Sequence, residues 1–395
     1  MQGHGQQPSF AGQDMHSNPF TDAELAARLT AVRQDMAAHG LDLLFLSAPE
    51  NIFYLCGLDH WGYFAPHVLA IPQEGEPVLF TRAMEQVAIA NQVRNAHFVG
   101  HSDSETVVEA MVRHFGQTLL RHQIGYEGAS SGLSYALGSA LLSQLPVASW
   151  VDASGLVDAL RLVKSPAEQA LMRAAARASD AGTQAAIAAI HDGAQETDVA
   201  AECLAAMTRA GGTPPGFGPF IRPAWRMAEE HTSWGTGTHT GAVFLEVAGC
   251  VARYNAPMGR LVTIGSIRDD DAAMAELSKS AFAGALGALR PGALARDVYQ
   301  GWQDVVDAAG LSHYRRHHCG YLVGIGFPPS WTGGPRVTGL RHDSDLVMTE
   351  GMCFHLMSWF TETGRGNFFV SNTVLLGPDG AEVLTQTEPG PTIRP

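Results

Sequence analysis

The chain changes texture at one place, and that change constrains its architecture more than any other feature. Up to about Val151, short apolar segments alternate with helical patterns. Thr21, followed three residues later by Glu24, forms a capping-box pattern, and Leu25, Leu29, Val32 and Met36 then recur at helical spacing. Short strand-like runs follow at Leu41 to Leu46, His67 to Ile71 and from Val78. Near Arg161-Leu-Val-Lys-Ser-Pro-Ala-Glu168 the pattern switches. Ser165 caps, Pro166 takes the first helical position, Glu168 the third, and a long alanine-rich helix runs to about Ile190.

Helices are expected after this point at about Thr197–Ala210, Asp271–Leu289 and Ala295–Ala309. Strands are expected at Ala242–Val247, Leu261–Ile264 and Met352–Met357, with a last one near Phe369–Leu376. An α/β half followed by an α+β half suits 395 residues, because one core rarely grows past about 250–300. The division expected is residues 1–18 as a loose leader, 19–162 as the first domain and 163–395 as the second. The leader is rich in Gln, Gly, His and Ser and lacks the basic and apolar regions of a signal peptide.

Composition removes several function classes. A net charge of −14 argues against nucleic acid as partner, since phosphate binding needs clustered Lys and Arg. No apolar run approaches the roughly 18 residues that span a bilayer. Five scattered cysteines without a CxxC pair suggest buried free thiols and a cytoplasmic protein.

Several segments in order carry a resemblance. Arg28-Leu-Thr-Ala-Val-Arg, Gly40-Leu-Asp-Leu-Leu and Asn51-Ile-Phe-Tyr-Leu-Cys-Gly resemble the amino-terminal domain of the creatinase/prolidase (M24) family, and Arg161 to Glu168 its interdomain junction. Arg290-Pro-Gly-Ala and Thr349-Glu-Gly-Met resemble signposts of its pita-bread catalytic domain. The resemblance implies an α/β creatinase-type amino-terminal domain plus an α+β pita-bread catalytic domain. Metal-dependent members hold two metal ions with two aspartates, a histidine and two glutamates. Carried over by position, these fall on Glu246, Pro257, Tyr321, Met357 and Ser371. One carboxylate among five positions does not make a site for a divalent ion, so neither metal nor another cofactor is expected.

Within the family the chain resembles the metal-free branch, and ectoine hydrolase more than creatinase, through His231-Thr-Ser-Trp234, Phe244-Leu-Glu-Val-Ala-Gly249, Arg253 to Arg260, Cys319 to Trp331 and Gly351 to Met357. Creatinase's two catalytic glutamates would fall on Gly259 and Met357, and Asn255 stands where ectoine hydrolase carries a histidine.

The resemblance implies Glu246 as a nucleophile, and general-base activation of water is the other chemistry open to it. The plain alternative is a structural carboxylate paired with an arginine. His231 suits proton transfer because imidazole titrates near neutrality. Tyr321, Asn255, Arg336, His355 and Trp234 are candidates for substrate binding. The first four have a bland reading: a space-filling aromatic for Tyr321, a turn-shaping residue for Asn255, a solvated loop arginine for Arg336 and a satisfied core imidazole for His355. Arg336 matches the position that holds a substrate carboxylate in creatinase, where a guanidinium offers two parallel hydrogen bonds. Trp61, Tyr63 and Phe64, in the aromatic segment Asp59-His-Trp-Gly-Tyr-Phe, are either an aromatic wall for a delocalised cation or an apolar interface. In the family this segment of one protomer reaches the other's active site, which implies a homodimer. His317-His318 is set aside as a metal pair, because neighbours on a strand face opposite ways.

The expected function is metal-independent hydrolysis of a C–N bond in a small zwitterion or amidine, such as ring opening of ectoine. A creatinase-like amidinohydrolase, a metal-dependent Xaa-Pro dipeptidase and a non-catalytic binding homologue are the alternatives.

Overall fold

The computed structural model describes residues 18–395 apart from residue 335. The chain divides into two compact units, residues 1–156 and 157–395. The leader reading otherwise falls outside the described residues, but Asn18 itself is buried. Its amide donates to the carbonyls of Cys56 (2.8 Å) and Gln92 (3.2 Å).

The first unit contains α1 (Asp22–Ala38), β1 (Leu43–Leu46), α2 (Pro49–Cys56), β2 (Val68–Pro72), β3 (Val78–Arg82), α3 (Gln86–Gln92), β4 (His97–His101), α4 (Val107–Phe115), β5 (Gln123–Tyr126), α5 (Tyr135–Gln144) and β6 (Ser149–Asp152). The strands form one mixed sheet in the order β4-β3-β2-β1-β5-β6. Phe45, Phe80 and Ile124 on the sheet pack against Val108 and Met111 of α4 and Leu141 of α5. The Thr21 cap accepts the Glu24 N–H, as the sequence pattern requires.

A short helix, α6 (Leu156–Leu160), leads into the second unit. There follow α7 (Pro166–Ala189), α8 (Glu196–Arg209), β7 (Phe220–Pro223), β8 (Ala242–Val251), β9 (Tyr254–Ile264), α9 (Asp269–Ala288), α10 (Ala295–Ala308), β10 (Gly320–Leu322), β11 (Cys353–Phe360), β12 (Phe368–Gly377), β13 (Gly380–Val383) and β14 (Thr392–Arg394). The path β10-β11-β12-β9-β8-β7 forms one sheet, with β13 added to β12 and β14 to β9. Ser165 and Glu168 complete the capping box that starts α7. Among the described residues no helix is long and apolar enough to cross a membrane.

β9 is much longer than the run Leu261–Ile264 expected from sequence, and the reason lies in register. β8 and β9 join through a two-residue turn at Ala252 and Arg253, both with positive φ (46° and 65°), as a tight hairpin requires. Counting from the Val251–Tyr254 pair, Ala248 and Pro257 face each other at a position that exchanges no backbone hydrogen bond. Proline, which lacks an N–H, is tolerated there although it normally argues against a central strand.

The two faces of β8 differ. Val243, Leu245 and Val247 join Ile221, Val262 and residues of α7 and α8 in an apolar core. The opposite face, with Phe244 and Glu246, looks away from those helices. α7 sits close to the sheet because its contact residues are small. A Cβ on Gly249 would lie 2.5 Å from both the Ala175 carbonyl oxygen and the Ser179 nitrogen. The buried Ser179 hydroxyl accepts the Gly249 N–H (2.7 Å) and donates to the Ala256 carbonyl (2.5 Å), locking helix to hairpin. Gly249→Ala is therefore expected to lower stability by about 1–3 kcal/mol, the usual range for overpacking, read as a lower urea midpoint. An unchanged midpoint would contradict this packing.

Candidate active site

Register alone assembles the candidate site. On the face of the sheet that carries Glu246, one row runs across four strands: Glu246 opposite Gly259, Gly259 opposite Ser371, Ser371 opposite Met357. Phe220 of β7 extends the row beyond Glu246. Ala248 lies two residues beyond Glu246 and pairs with Pro257. His355 lies two residues before Met357 and pairs with Tyr321. Because side chains alternate with period two, all five positions that the family resemblance singled out converge on one face. A cavity of about 490 Å³ opens over this face.

Glu246 is 7% exposed on the cavity floor. Burial raises its carboxyl from 4.5 to about 7; Arg222 pulls it down, and Glu230 pushes it up. His355 Nδ1 lies 3.9 Å from Glu246 Oε1. Arg222, beneath the cavity rim, is itself nearly inaccessible. Its guanidinium lies 4.2 Å over the Phe244 ring and donates to the carbonyls of Arg226, Met227 and Thr232. It therefore braces the segment that carries Glu230 and His231.

Where the family places ligands, this chain has a hydrogen-bonded chain of neutral groups. The Trp331 indole N–H donates to the Tyr321 hydroxyl oxygen (2.8 Å). That oxygen lies 2.9 Å from His355 Nδ1, and His355 Nε2 lies 2.7 Å from Ser371 Oγ. Burial lowers the His355 pKa to about 3, so the ring is neutral, and raises that of Tyr321 well above its ordinary value. Both nitrogens of His355 are thus engaged, and Pro257 and Met357 are poor donors to a hard divalent ion. Among the described residues no group of three or more His, Cys, Asp or Glu side chains is placed to hold a metal ion. The residues present do not fit a two-metal site.

Of the residues expected from sequence, Glu246, Tyr321 and His231 face the cavity. His231 is exposed at the rim, with its ring centroid 6.0 Å from that of Phe217 and 6.2 Å from that of Phe220. Its φ of 59° is a left-handed conformation that is strained for a residue with a Cβ, and such strain concentrates at functional sites. His355 lies behind Tyr321, fully buried. Asn255 is also fully buried. Its amide accepts the Gly216 N–H and donates to the carbonyls of Arg253 and Gly326, so it acts on the cavity only through those loops. Trp234 packs against the apolar core and does not face the cavity. Arg336 is exposed on a loop whose neighbours Gly334 and Val337 line the cavity while it does not.

In the first unit, Trp61 and Phe64 are 63% and 82% exposed around a 3₁₀ turn, while the Tyr63 hydroxyl donates to the Leu58 carbonyl.

Four charged residues lining the cavity escaped sequence reasoning: Arg222, Glu230, Arg316 and Arg341. They lie on different segments with no shared spacing, so no local pattern marks them. Arg316 sits 4.7 Å over the Trp359 ring and 3.5 Å from Glu230. His317 and His318 both line the cavity, with ring centroids 4.1 Å apart. The expectation that they point opposite ways fails because the segment bends there and is not a strand.

The Glu246 environment has a consequence for stability. Its folded-state pKa is above that of the unfolded chain, so the native state holds an extra proton between about pH 4.5 and 7, and stability falls as pH rises through that window. Glu246→Gln removes the buried charge. It is expected to stabilise the protein at pH 8 by up to about 3 kcal/mol, with the gain fading toward pH 4.5. Thermal unfolding of both proteins across this range checks the sign. A variant less stable than the parent at pH 8 would contradict the desolvated carboxylate.

Comparison with known proteins agrees with the architecture. The creatinase/prolidase N-terminal domain matches residues 28–163, and metallopeptidase family M24 matches residues 170–378. Ectoine hydrolase of Halomonas elongata is 27% identical over 93% of this chain and 96% of its own length. An uncharacterised hydrolase/peptidase of Sinorhizobium fredii is 28% identical over 93% and 97%. Among solved structures, the Xaa-Pro dipeptidase from Bacillus anthracis superposes with a TM-score of 0.82 at 19% identity, covering 94% of this chain and all of that one. The chain therefore belongs to family M24, as a hydrolase-family protein with a creatinase-type amino-terminal domain followed by a pita-bread catalytic domain.

Proposed function

We propose that this protein hydrolyses a C–N bond in a small polar molecule without a metal ion, and that its substrate is a cyclic amidine of the ectoine type. The observation that carries this reading is Glu246, a buried carboxylate raised to about 7 on the cavity floor and the one carboxylate among the five family ligand positions, the others being Pro257, Tyr321, Met357 and Ser371. A cavity of about 490 Å³ suits a small ligand. The relation to ectoine hydrolase supports the substrate class.

An amidinium carrying a carboxylate matches the charges around the cavity. Its cationic carbon faces Glu246, and its approach draws the carboxyl into the ionised form. Its carboxylate meets Arg316 and Arg341, whose present partners are Glu230 at a long 3.5 Å and Asp343 in an exposed, solvent-screened pair at 2.9 Å. Glu246 then acts in one of two ways: it attacks the amidine carbon and water resolves the adduct, or it takes a proton from the attacking water. In either case His231 at the rim supplies the proton that the departing nitrogen needs, and the ring opens to an N-acetyl-diaminobutyrate.

Two further parts of this proposal concern context. The exposed Trp61 and Phe64, with Tyr63, wall the cavity of a second copy, which makes the working unit a homodimer. The five cysteines, all buried and free, suit the reducing cytoplasm.

The test is to incubate the protein, with chelator present, with ectoine, hydroxyectoine, creatine and a Xaa-Pro dipeptide. The expected result is acetylated diaminobutyrate from ectoine, lost by at least about a thousandfold in Glu246→Ala, with kcat/KM falling below about pH 7 as Glu246 takes up its proton. Urea from creatine, or dipeptide cleavage that needs added divalent ions, would sink the proposal.

A further inference from the structure

The chain from Trp331 to Ser371 has a direction that follows from counting protons. The indole N–H of Trp331 can only donate, so it fills one lone pair of the Tyr321 oxygen. Neutral His355 carries one ring proton, on Nδ1 facing Tyr321 or on Nε2 facing Ser371. Ser371 is fully buried, and among the described residues its hydroxyl has one hydrogen-bond partner, His355 Nε2. If Nε2 held the proton, the Ser371 hydroxyl proton would be buried with no acceptor among the described residues, which costs the full desolvation penalty of that group.

With the proton on Nδ1 the donors of Trp331, His355 and Ser371 are all used, and only the Tyr321 hydroxyl proton is left over. Ser371 donates to Nε2, and Nδ1 donates to the Tyr321 oxygen. The anionic form of Glu246, 3.9 Å from Nδ1, favours the same tautomer. Trp331 and His355 then occupy both lone pairs of the Tyr321 oxygen. The hydroxyl proton is left with one place to go, the cavity, where Tyr321 stands as a lining residue.

We infer that Tyr321 is a fixed hydrogen-bond donor to the reacting atoms above Glu246, aimed there by His355 and Ser371 acting as positioning residues. The family's ligand positions thus carry a different device: Tyr321 and Ser371 sit at two of them, bridged by His355, and hold a proton in place of a metal ion. In hydrolysis Tyr321 hydrogen-bonds either the ring nitrogen as it gains a lone pair or the oxygen on which negative charge develops, as oxyanion donors do. That last role rests on the hydrolase reading above, whereas the direction of the chain does not.

The test has two arms on the full-length protein. Nitrogen-15 NMR with labelled histidine, the His355 signal assigned by its loss in His355→Gln, is expected to show a protonated Nδ1 and a bare Nε2 at pH 7.5. In Ser371→Ala, kcat is expected to fall about tenfold with KM within about twofold, a smaller loss than the hundredfold or more typical of deleting a catalytic donor outright, as Tyr321→Phe would. A His355 protonated on Nε2, or an even mixture of tautomers, would overturn the direction. An unchanged kcat in Ser371→Ala would overturn the positioning role. If the parent enzyme opens no amidine at all, the substrate reading fails, and the tautomer still decides the direction.

Discussion

The desolvated carboxylate of Glu246 is the interaction on which the rest of the candidate site turns. Strand β8 can hold it because its other face is committed to the core through Val243, Leu245 and Val247. An ion in such surroundings costs several kcal/mol, and the usual remedy is a close cation or several hydrogen bonds. Here Arg222 supplies long-range relief while spending its own donors on the carbonyls of the 226–232 segment. The carboxyl is left near neutrality, where one proton is gained or lost with little driving force in either direction. A general base at neutral pH needs that property, and a structural ion pair does not have it.

The sheet positions that carry the ligands of two metal ions in family members with a full ligand set are kept here with mostly different side chains on them. Glu246, Gly259, Ser371 and Met357 still share one row, and Tyr321 and Pro257 still flank it. The space above Gly259, where creatinase would carry a glutamate, is closed. A Cβ there would lie 1.9 Å from the Phe369 ring, which stacks on Phe244 at 4.8 Å. Fold and site are separable in this way because backbone register is set by the pleat and the core-facing residues, leaving the cavity-facing ones free to change.

Much of this was legible in the sequence, and the failures have physical causes. The caps at Thr21 and Ser165 involve residues three apart, so local pattern reveals them. The Tyr254–Asn255–Ala256–Pro257 portion of β9 was missed because the proline hides a strand whose register does not need its N–H. The convergence of Glu246 and Tyr321 could be anticipated only through resemblance, since they are distant in the chain. Arg222, Glu230, Arg316 and Arg341 were invisible because tertiary structure alone gathers them. Asn255 and Trp234 do not line the cavity, because a polar or aromatic residue in a suggestive motif can be engaged in hydrogen bonds or packing elsewhere.

On this account the cavity does chemistry with the buried Glu246 carboxylate and a proton-holding chain at positions where relatives would use divalent cations. Calorimetric titration of the purified, chelator-treated protein with Mn²⁺ and Zn²⁺ addresses it most directly. No uptake at the cavity is expected, with identical traces for the parent and Glu246→Ala. Two equivalents bound by the parent, and lost in Glu246→Ala, would contradict the account.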